Sequence, residues 1–326
     1  MNRGAFCVLS LVAVAFAHCV WVPANAVAGH QATAESTKPA FRIVGYLPEY
    51  RVAKFDPEDA KFVTDLIYFA VNPSATGHAG LDRIKPESLD LFKRIKAKYG
   101  TRLHLCLGGW NRSKGFPQLA ASTEARKRLI AQLTEFCRTN GFDGVDVDWE
   151  HPTKTNELKD HAKLLTEMKS AFGPQKLQLS VALAGWQGIT PEAIGAIDVV
   201  HLMAYDAQGK HSTLEFAKSD LDRLVKKGVP TEHICLGVPF YGRKISNSAR
   251  SMTYGEIVNR FHPAPDVNEV DGVYFNGPSM IEQKTKLALT RKLAGIMIWE
   301  LGQDAAGDAK LLPVIRKAID ADKRER

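Results

Sequence analysis

From residue 41 onward, short runs rich in β-branched and aromatic residues alternate with longer amphipathic segments. The short runs are typical of strands and the amphipathic segments of helices. The eight predicted strands cover residues 41–50, 66–73, 102–110, 141–150, 177–186, 197–206, 233–242 and 294–302. Because strands that alternate with helices form parallel sheets, eight such units over this length predict an α/β fold, the (β/α)8 TIM barrel.

The segments between the strands differ in length and character. Residues 86–100 begin on a proline and end on a glycine, which is the usual asymmetry of helix ends. The connection after the fifth strand, "QGITPEAIGA", has room for only a short helix. The connection before the eighth strand is the longest and includes the loop-like stretch "RFHPAPDVNEVDGVYFNGP". Since long connections are usually functional or mobile, we expect it to border a functional site.

The amino-terminal residues show the pattern of a secretory signal. Arg3 precedes the apolar run "AFCVLSLVAVAFA", and "VPANA" supplies a small-x-small cleavage site ending at Ala26. The run is shorter than the ~20 residues of a membrane-spanning helix, so we expect cleavage and no stable span. We therefore predict a signal peptide at 1–26, a polar tether at 27–40 and the barrel at 41–326, in a secreted or periplasmic protein.

Composition limits the functions that need to be considered. The chain has 326 residues, 45% hydrophobic and 24% charged, which is typical of a globular protein with a large core. Its net charge is +7, but the basic residues are spread along the chain, so we predict no nucleic-acid partner. The mature chain would keep Cys106, Cys137 and Cys235, which lack metal-ligand spacing. We expect buried apolar residues, with one disulfide as the alternative.

The stretch "GFDGVDVDWEHP" places three carboxylates at alternate positions, Asp146, Asp148 and Glu150. Residues two apart in a strand share a face, so the three acids should point into the barrel while their apolar neighbours pack against helices. Three carboxylates along about 13 Å of buried strand cannot all ionise comfortably, so at least one should hold a proton near neutral pH. Glu150 lies nearest the carboxyl end of the strand, where barrel active sites lie, and is the natural general acid.

Two other interpretations of this acidic strand stay open. An edge strand with a solvated acidic face is one, although the flanking glycine and valines suit a central strand. The other is a Mg²⁺ or Mn²⁺ site, because carboxylates at alternate strand positions also bind divalent metals. No convergent histidine or second acidic cluster at the other strand ends gives it strong support, and we predict no metal.

Aromatic and polar residues, together with one methionine, also occupy the ends of the other predicted strands. They are Tyr46, Trp110, Met203, Tyr205, Asp206, Tyr241, Arg243 and Trp299. Any one of them alone would more often be a core residue. Together at one barrel mouth they predict a sugar site, because apolar sugar faces stack on aromatic rings while hydroxyl groups bind carboxylates and arginine.

The segment "DGVDVDWE" resembles the DGxDxDxE signature of the family 18 glycoside hydrolases, the chitinases and their relatives. The rest of that family's pattern follows in order, with "LGGW" on the third strand, "MAYD" on the sixth, "PFYGR" on the seventh and "GIMIWELGQD" on the eighth. A lone DxDxE would be weak evidence, whereas the combined pattern is specific. The resemblance implies a retaining hydrolysis in which the substrate's 2-acetamido oxygen is the nucleophile, without a metal or organic cofactor.

The resemblance also implies the catalytic roles. Glu150 would protonate the leaving oxygen and then activate the hydrolytic water. Asp148 would bind the acetamido N–H and stabilise the positive oxazolinium intermediate, and Asp146 would share a proton with Asp148. Tyr205 would donate its hydroxyl to the acetamido oxygen.

The same resemblance implies the substrate contacts. Asp206 would bind the sugar, Trp299 would form the floor beneath the distorted sugar, and Trp110 would stack on the leaving side. Because the mechanism needs an N-acetyl group, the expected partner is chitin or another N-acetylglucosamine-containing oligosaccharide, which would be hydrolysed at its β-1,4 linkages. We expect the enzyme to be a monomer.

Three departures from the family pattern have consequences. Cys106 replaces the usual serine of SxGG, which we expect to alter a supporting hydrogen bond. Phe69 and Ala70 stand where Ala-Phe is usual, so a floor residue is either missing or supplied from elsewhere. Residues 243–294 are too few for the α+β module of many processive relatives, which predicts a shallow groove and endo-type cleavage.

Other functions and roles stay open at this point. The enzyme could instead act on N-glycans as an endo-β-N-acetylglucosaminidase, or on peptidoglycan. A non-catalytic chitin-binding lectin is a further alternative, although such relatives usually lack the glutamate that Glu150 supplies. We expect His201 to be a core histidine, and His151 either to touch substrate or to begin the loop after Glu150.

Overall fold

The computed structural model describes residues 41–325. Within this range the strands are Arg42–Pro48 (β1), Asp65–Val71 (β2), Arg102–Gly108 (β3), Gly144–Asp148 (β4), Gln178–Leu183 (β5), Val199–Leu202 (β6), Ile234–Pro239 (β7), Tyr241–Lys244 (β8), Asn247–Thr253 (β9), Glu269–Val270 (β10), Val273–Tyr274 (β11) and Gly295–Trp299 (β12). Strands β1 to β7 and β12 are parallel and close into a barrel, in chain order. The (β/α)8 barrel and its eight predicted strands are therefore confirmed.

Helices follow the barrel strands and cover them from outside. Those in the described range are Pro86–Tyr99 (α1), Phe116–Ala121 (α2), Thr123–Asn140 (α3), Thr155–Phe172 (α4), Pro191–Ala196 (α5), Leu214–Lys226 (α6), Tyr254–Phe261 (α7), Pro278–Thr290 (α8) and Leu312–Glu325 (α9). The short helix α5 is the one expected after the fifth strand. None of these helices is long and apolar enough to cross a membrane. The predicted signal peptide and tether lie outside the described residues.

The two faces of β4 pack as its alternating sequence predicts. Val145 and Val147 are fully buried in the core between the barrel and its helices. Trp149 joins the same core, where its ring stacks on Phe116 at a centroid distance of 5.1 Å. Asp146, on the opposite face, is buried inside the barrel and bonded to residues of other strands. The packing thus turns the acidic face inward and rules out a solvated edge strand.

All three cysteines in the described range are buried and unpaired. Cys106 and Cys235 lie in the apolar cluster inside the barrel, and Cys137 lies in the core beneath the helices. Burial raises the pKa of each thiol. The expectation of buried apolar cysteines is confirmed for these residues, and the disulfide alternative is wrong.

The long connection before β12 is not a simple loop. It holds an antiparallel sheet in the order β10–β11–β8–β9, together with helix α7. Asp271 and Gly272 form the turn between β10 and β11, with positive φ values of 46° and 66°, and an Asp-Gly pair is the usual sequence for such a hairpin. The expectation of a loop-like stretch was wrong here, because strands of two residues are too short to show alternation.

A charged cluster occupies the amino end of the barrel, centred on Asp65 at the start of β2. Its carboxylate accepts hydrogen bonds from Arg102 at 2.7 Å, from Arg42 at 3.1 Å and from the His104 ring at 3.0 Å. Burial alone would raise the pKa of Asp65, but hydrogen bonds from His104 and Arg102 and the charge of Arg42 hold it below its usual range. The carboxylate therefore ties the first three strands together as an anion.

We predict that Asp65→Asn lowers the free energy of unfolding at pH 7 by about 3 kcal/mol, because it removes the carboxylate that pairs with two arginines. Folding lowers the pKa of Asp65, so its contribution is complete above the ordinary aspartate pKa of about 4 and is lost as the pH falls below it. The difference in the free energy of unfolding between variant and wild type, measured with urea, should shrink below about pH 4. Asp82→Asn, at an exposed position, is the control. A difference that stays constant down to low pH would contradict the prediction.

Candidate active site

A cavity of about 460 Å³ opens at the carboxyl ends of the barrel strands. It is lined by Tyr46, Phe69, Trp110, Asp148, Glu150, His151, Ala182, Ala184, Trp186, Met203, Tyr205, Asp206, Arg243, Met297 and Trp299. The residues predicted from the strand ends thus come together at one mouth. Only Asp146 and Tyr241 among them do not line the cavity, and both lie directly behind residues that do.

Asp146 is an anion buried in the centre of the barrel. The hydroxyl of Tyr46 donates to its Oδ2 at 2.7 Å, and the hydroxyl of Ser180 donates to its Oδ1 at 2.6 Å. The Nδ1 atom of His201 lies 3.1 Å from the same Oδ1. Burial would raise the pKa of Asp146, but the charge and hydrogen bond of His201, followed by the two hydroxyl donors, lower it. His201 is therefore a core histidine, as expected, whose partner is this carboxylate.

The pKa of Asp148 is shifted in the opposite direction. Its side chain is buried, and its Oδ1 atom has no hydrogen-bond partner among the described residues. Burial, the charge of Glu150 and the charge of Asp146 all raise its pKa well above the ordinary value. These surroundings favour the protonated form of Asp148, in line with the proton that the sequence predicts for at least one of the three acids. No hydrogen bond within the described part of the chain joins Asp148 to Asp146, whose oxygens are bonded to other residues.

Glu150 lies just beyond the end of β4, and its side chain is 13% exposed. The backbone N–H of Glu150 donates to Ser113 Oγ at 3.0 Å, and Ser113 donates in turn to the carbonyl of Asp148 at 3.2 Å. The loop after β3 can approach this closely because Gly108 and Gly109 have positive φ, and a Cβ at Gly108 would lie 2.3 Å from the Asp148 carbonyl oxygen. The glycines of "LGGW" therefore fix the end of the acidic strand.

Tyr205 and Asp206 follow β6 on the other side of the cavity. Burial and the neighbouring Tyr241 and Asp206 raise the pKa of Tyr205 well above its ordinary value, so its hydroxyl stays protonated and can donate. The Asp206 carboxylate accepts from Tyr241 at 2.5 Å and from two nitrogens of Arg243 at 2.5 and 2.6 Å. Tyr241 thus acts by holding Asp206. Arg243 belongs to β8, so the long connection borders the site as expected.

A buried lysine that sequence reasoning missed contacts the loop after β6. Lys284 of α8 is fully buried and donates to the Ser212 carbonyl at 2.9 Å, to Ser212 Oγ at 2.6 Å and to Asn276 Oδ1 at 2.7 Å. Burial lowers its pKa to about 7. The neighbouring His211 is also buried, with its Nδ1 3.6 Å from Asp206. These contacts hold the loop after β6 against α8.

Aromatic rings form the floor and the rim of the cavity. Phe69 meets Trp299 edge-on at a centroid distance of 4.7 Å, and Tyr46 lies 5.6 Å from the same indole. Phe69 therefore supplies a floor ring from the strand on which the family pattern is altered. On the rim, Trp110 is 70% exposed and Trp186 is 58% exposed. Trp186 was missed, although it ends the predicted fifth strand and fits the rule that identified the other aromatics.

A closed (β/α)8 barrel with a row of buried carboxylates beneath an aromatic-lined mouth defines this chain as a glycoside hydrolase of the chitinase-like class. The model of the family "Glycosyl hydrolases family 18" matches residues 42–304, and the chain belongs to that family. The resemblance noted in the sequence motifs is confirmed.

Solved structures and curated proteins agree with this assignment. The GH18 chitinase from the chitin utilization locus of Flavobacterium johnsoniae is 28% identical, with a TM-score of 0.78 over 87% of this chain and 95% of that one. A chitinase from Bacteroides thetaiotaomicron has the same fold, with a TM-score of 0.78 at 22% identity, over 88% of this chain and 99% of that one. Probable chitinase 2 of Drosophila melanogaster is 25% identical over 82% of this chain and 71% of that protein. Probable chitinase 10 of the same organism is also 25% identical, over 78% of this chain but only 14% of that protein.

We predict that Asp146→Asn lowers the free energy of unfolding at pH 7 by about 2 kcal/mol, because it removes an anion with three hydrogen-bond partners. Asp148→Asn should cost less than about 1 kcal/mol, because a neutral amide replaces a carboxyl whose raised pKa favours its neutral form. Urea unfolding of both variants measures the difference. In a double-mutant cycle, Ser180→Ala should couple to Asp146→Asn and not to Asp148→Asn. Equal losses for the two asparagine variants would contradict the assigned charges.

Proposed function

We propose that this chain is an exported hydrolase of β-1,4-linked N-acetylglucosamine polymers that uses the acetamido oxygen of its substrate as the nucleophile. The observation that most supports this is the unpartnered Oδ1 of Asp148. A buried acceptor without a partner is costly, and an acetamido N–H in the cavity would satisfy it. A plain glucan has only a hydroxyl group at this position and lacks the acetamido oxygen that the mechanism uses as nucleophile.

The proposed first step breaks the glycosidic bond. Glu150 gives its proton to the leaving oxygen, while Tyr205 donates a hydrogen bond to the acetamido oxygen and aims it at the anomeric carbon. Attack by that oxygen forms a positively charged oxazolinium ring. The anionic Asp146 lies behind Asp148 and supplies negative charge close to this cation. Trp299 and Phe69 line the floor on which the sugar rests.

The proposed second step restores the enzyme. Glu150, now a carboxylate, accepts a proton from water, and the water oxygen attacks the anomeric carbon from the side that the leaving group left. The bond between the anomeric carbon and the acetamido oxygen breaks in the same step, so the oxazolinium ring opens to the neutral acetamido group. The β configuration is therefore retained. Asp206, fixed by Tyr241 and Arg243, is placed to bind sugar hydroxyl groups, and the exposed Trp110 is placed to stack on the leaving side.

A relative with a bound ligand supports the choice of substrate class. A variant of a Cycas revoluta chitinase was solved in complex with (GlcNAc)4, and its fold matches with a TM-score of 0.74 at 21% identity over 85% of this chain. N-acetylglucosamine oligomers are therefore the ligands to test first. We propose that the enzyme works as a monomer with an open groove and cleaves within chains.

We predict that the protein hydrolyses tetra-N-acetylchitotetraose with retention and does not turn over the fully deacetylated tetramer, which lacks the nucleophile. Glu150→Gln should lower kcat at least ~10³-fold while oligomer binding persists, and Asp146→Asn should lower it least among the three acids. The measurements are product analysis by NMR and calorimetric binding. Glu87→Gln, at an exposed position on α1, is the control.

Two outcomes would redirect this proposal. If the wild type binds the tetramer but shows no hydrolysis above the Glu150→Gln background, the protein is a lectin. If a high-mannose glycopeptide or peptidoglycan, assayed side by side with the tetramer, is cleaved with a higher kcat/KM, the substrate is an N-glycan or the cell wall. Cleavage of the deacetylated tetramer would contradict the acetamido mechanism.

We also predict that the expressed protein is cleaved after Ala26 and exported. Mass spectrometry of the mature protein should find Val27 at its amino terminus, in the periplasm or the culture medium. Replacing the apolar run at residues 5–17 with a polar one should keep the chain in the cytoplasm. An intact Met1 on protein recovered from outside the cytoplasm would contradict cleavage.

A further inference from the structure

His151 contacts the carboxylate that the proposed mechanism uses most. Its Nε2 atom lies 3.4 Å from Glu150 Oε2, and its ring lines the same cavity. On the other side its Nδ1 atom lies 2.8 Å from the side-chain oxygen of Gln187. Trp186 packs edge-on against the ring at a centroid distance of 4.8 Å. The imidazole is thus held between Gln187 and Glu150.

Gln187 is buried beside the histidine, and two hydrogen bonds hold its backbone. Its side chain is buried and its residue is 1% exposed. Its backbone N–H donates to the Ala184 carbonyl at 2.9 Å, and its own carbonyl accepts from Lys227 Nζ at 2.6 Å. An amide oxygen can only accept, so the Nδ1 atom of His151 carries a hydrogen. The remaining nitrogen, Nε2, therefore faces Glu150 either without a hydrogen, as an acceptor, or with one, as a donor.

We propose that His151 is a positioning residue for Glu150, and that the two side chains share one proton between His151 Nε2 and Glu150 Oε2. This inference rests on the hydrolase function proposed above. The pair begins the cycle with one proton, shared between the imidazole and the Glu150 carboxyl group, and Glu150 carries that proton when the substrate reacts. Glu150 transfers it to the leaving oxygen as the glycosidic bond breaks. The hydrolytic water returns one proton to Glu150 as its oxygen bonds to the anomeric carbon, so the pair ends as it began.

The surroundings favour such a pair. The charged group that acts on His151 is Glu150, while the loop after β5 presents the neutral Gln187 and Trp186. Lys227, at the end of α6, directs its ammonium to the carbonyls of Gly185 and Gln187. Burial would lower the pKa of His151, but the hydrogen bonds to Glu150 and Gln187 and the charge of Glu150 raise it above its ordinary value. The 3.4 Å separation is an ion-pair distance, and such contacts often shorten when substrate binds.

The first test needs no turnover. The titration of the His151 ring is followed by NMR in wild type and in Glu150→Gln. We expect the midpoint to fall by about one pH unit in Glu150→Gln, because the opposite charge that favours the imidazolium is gone. Gln187→Leu should also lower it, whereas Glu87→Gln should leave it unchanged. A midpoint that is the same in wild type and Glu150→Gln would overturn the proposal.

The second test is the pH profile of kcat/KM. Loss of the shared proton should set the alkaline limb in wild type, so His151→Phe and His151→Gln should both move that limb about one pH unit toward acid. His78→Gln, at an exposed position, is the control. A kcat that falls equally at all pH values, without movement of the alkaline limb, would show a structural role. A higher KM alone would show a substrate contact. Either result overturns the proposal.

The two tests separate this inference from the function on which it rests. If no oligosaccharide is hydrolysed but the NMR midpoint falls in Glu150→Gln, the proposed function fails and the pairing stands. If hydrolysis is found but neither the midpoint nor the alkaline limb moves, the function stands and the pairing fails. Thermal unfolding of His151→Phe and His151→Gln shows whether each variant is folded before its kinetics are compared.

Discussion

The negative charge of Asp146 inside the closed barrel is the constraint from which the rest of the site follows. Its three partners come from different strands: Tyr46 from β1, Ser180 from β5 and His201 from β6. They meet only when the barrel is closed in register, so the fold creates the environment that keeps this carboxylate ionised. A fixed anion at this point then raises the proton affinity of any carboxyl placed above it.

The next two acids along β4 respond to that charge in different ways. Asp148 has no histidine or arginine partner among the described residues, and its surroundings raise its pKa. Glu150 reaches the mouth, where His151 lies beside it as His201 lies beside Asp146. In this acidic row, Asp146 and Glu150 each have a histidine neighbour, and Asp148 between them has no partner among the described residues. The unpartnered carboxyl lines the cavity, and its free oxygen is the observation on which the proposed amide donor of the ligand rests.

The barrel and the acidic row could both be predicted from the sequence. All eight barrel strands were predicted, because their alternation and their apolar content are properties of local sequence. The sheet of β8 to β11 was missed, since its shortest strands are two residues long. Among site residues, Lys284 and Gln187 were missed because their roles come from contacts with residues far away in the chain. Trp186 could have been found, as it ends a predicted strand in the same way as Trp110.

Two separate parts of the fold hold the two sides of the cavity. Barrel strands fix the acids, whereas Asp206 depends on β8, which supplies Arg243 and Tyr241, and on the loop that Lys284 binds. The acidic row needs exact protonation states and is buried among rigid strands, where charges are neither hydrated nor screened. The opposite side, which we propose to bind sugar hydroxyl groups, is more exposed and is built on connections. Sequence changes in the long connection can therefore alter how the ligand is held without disturbing the charge of Asp146.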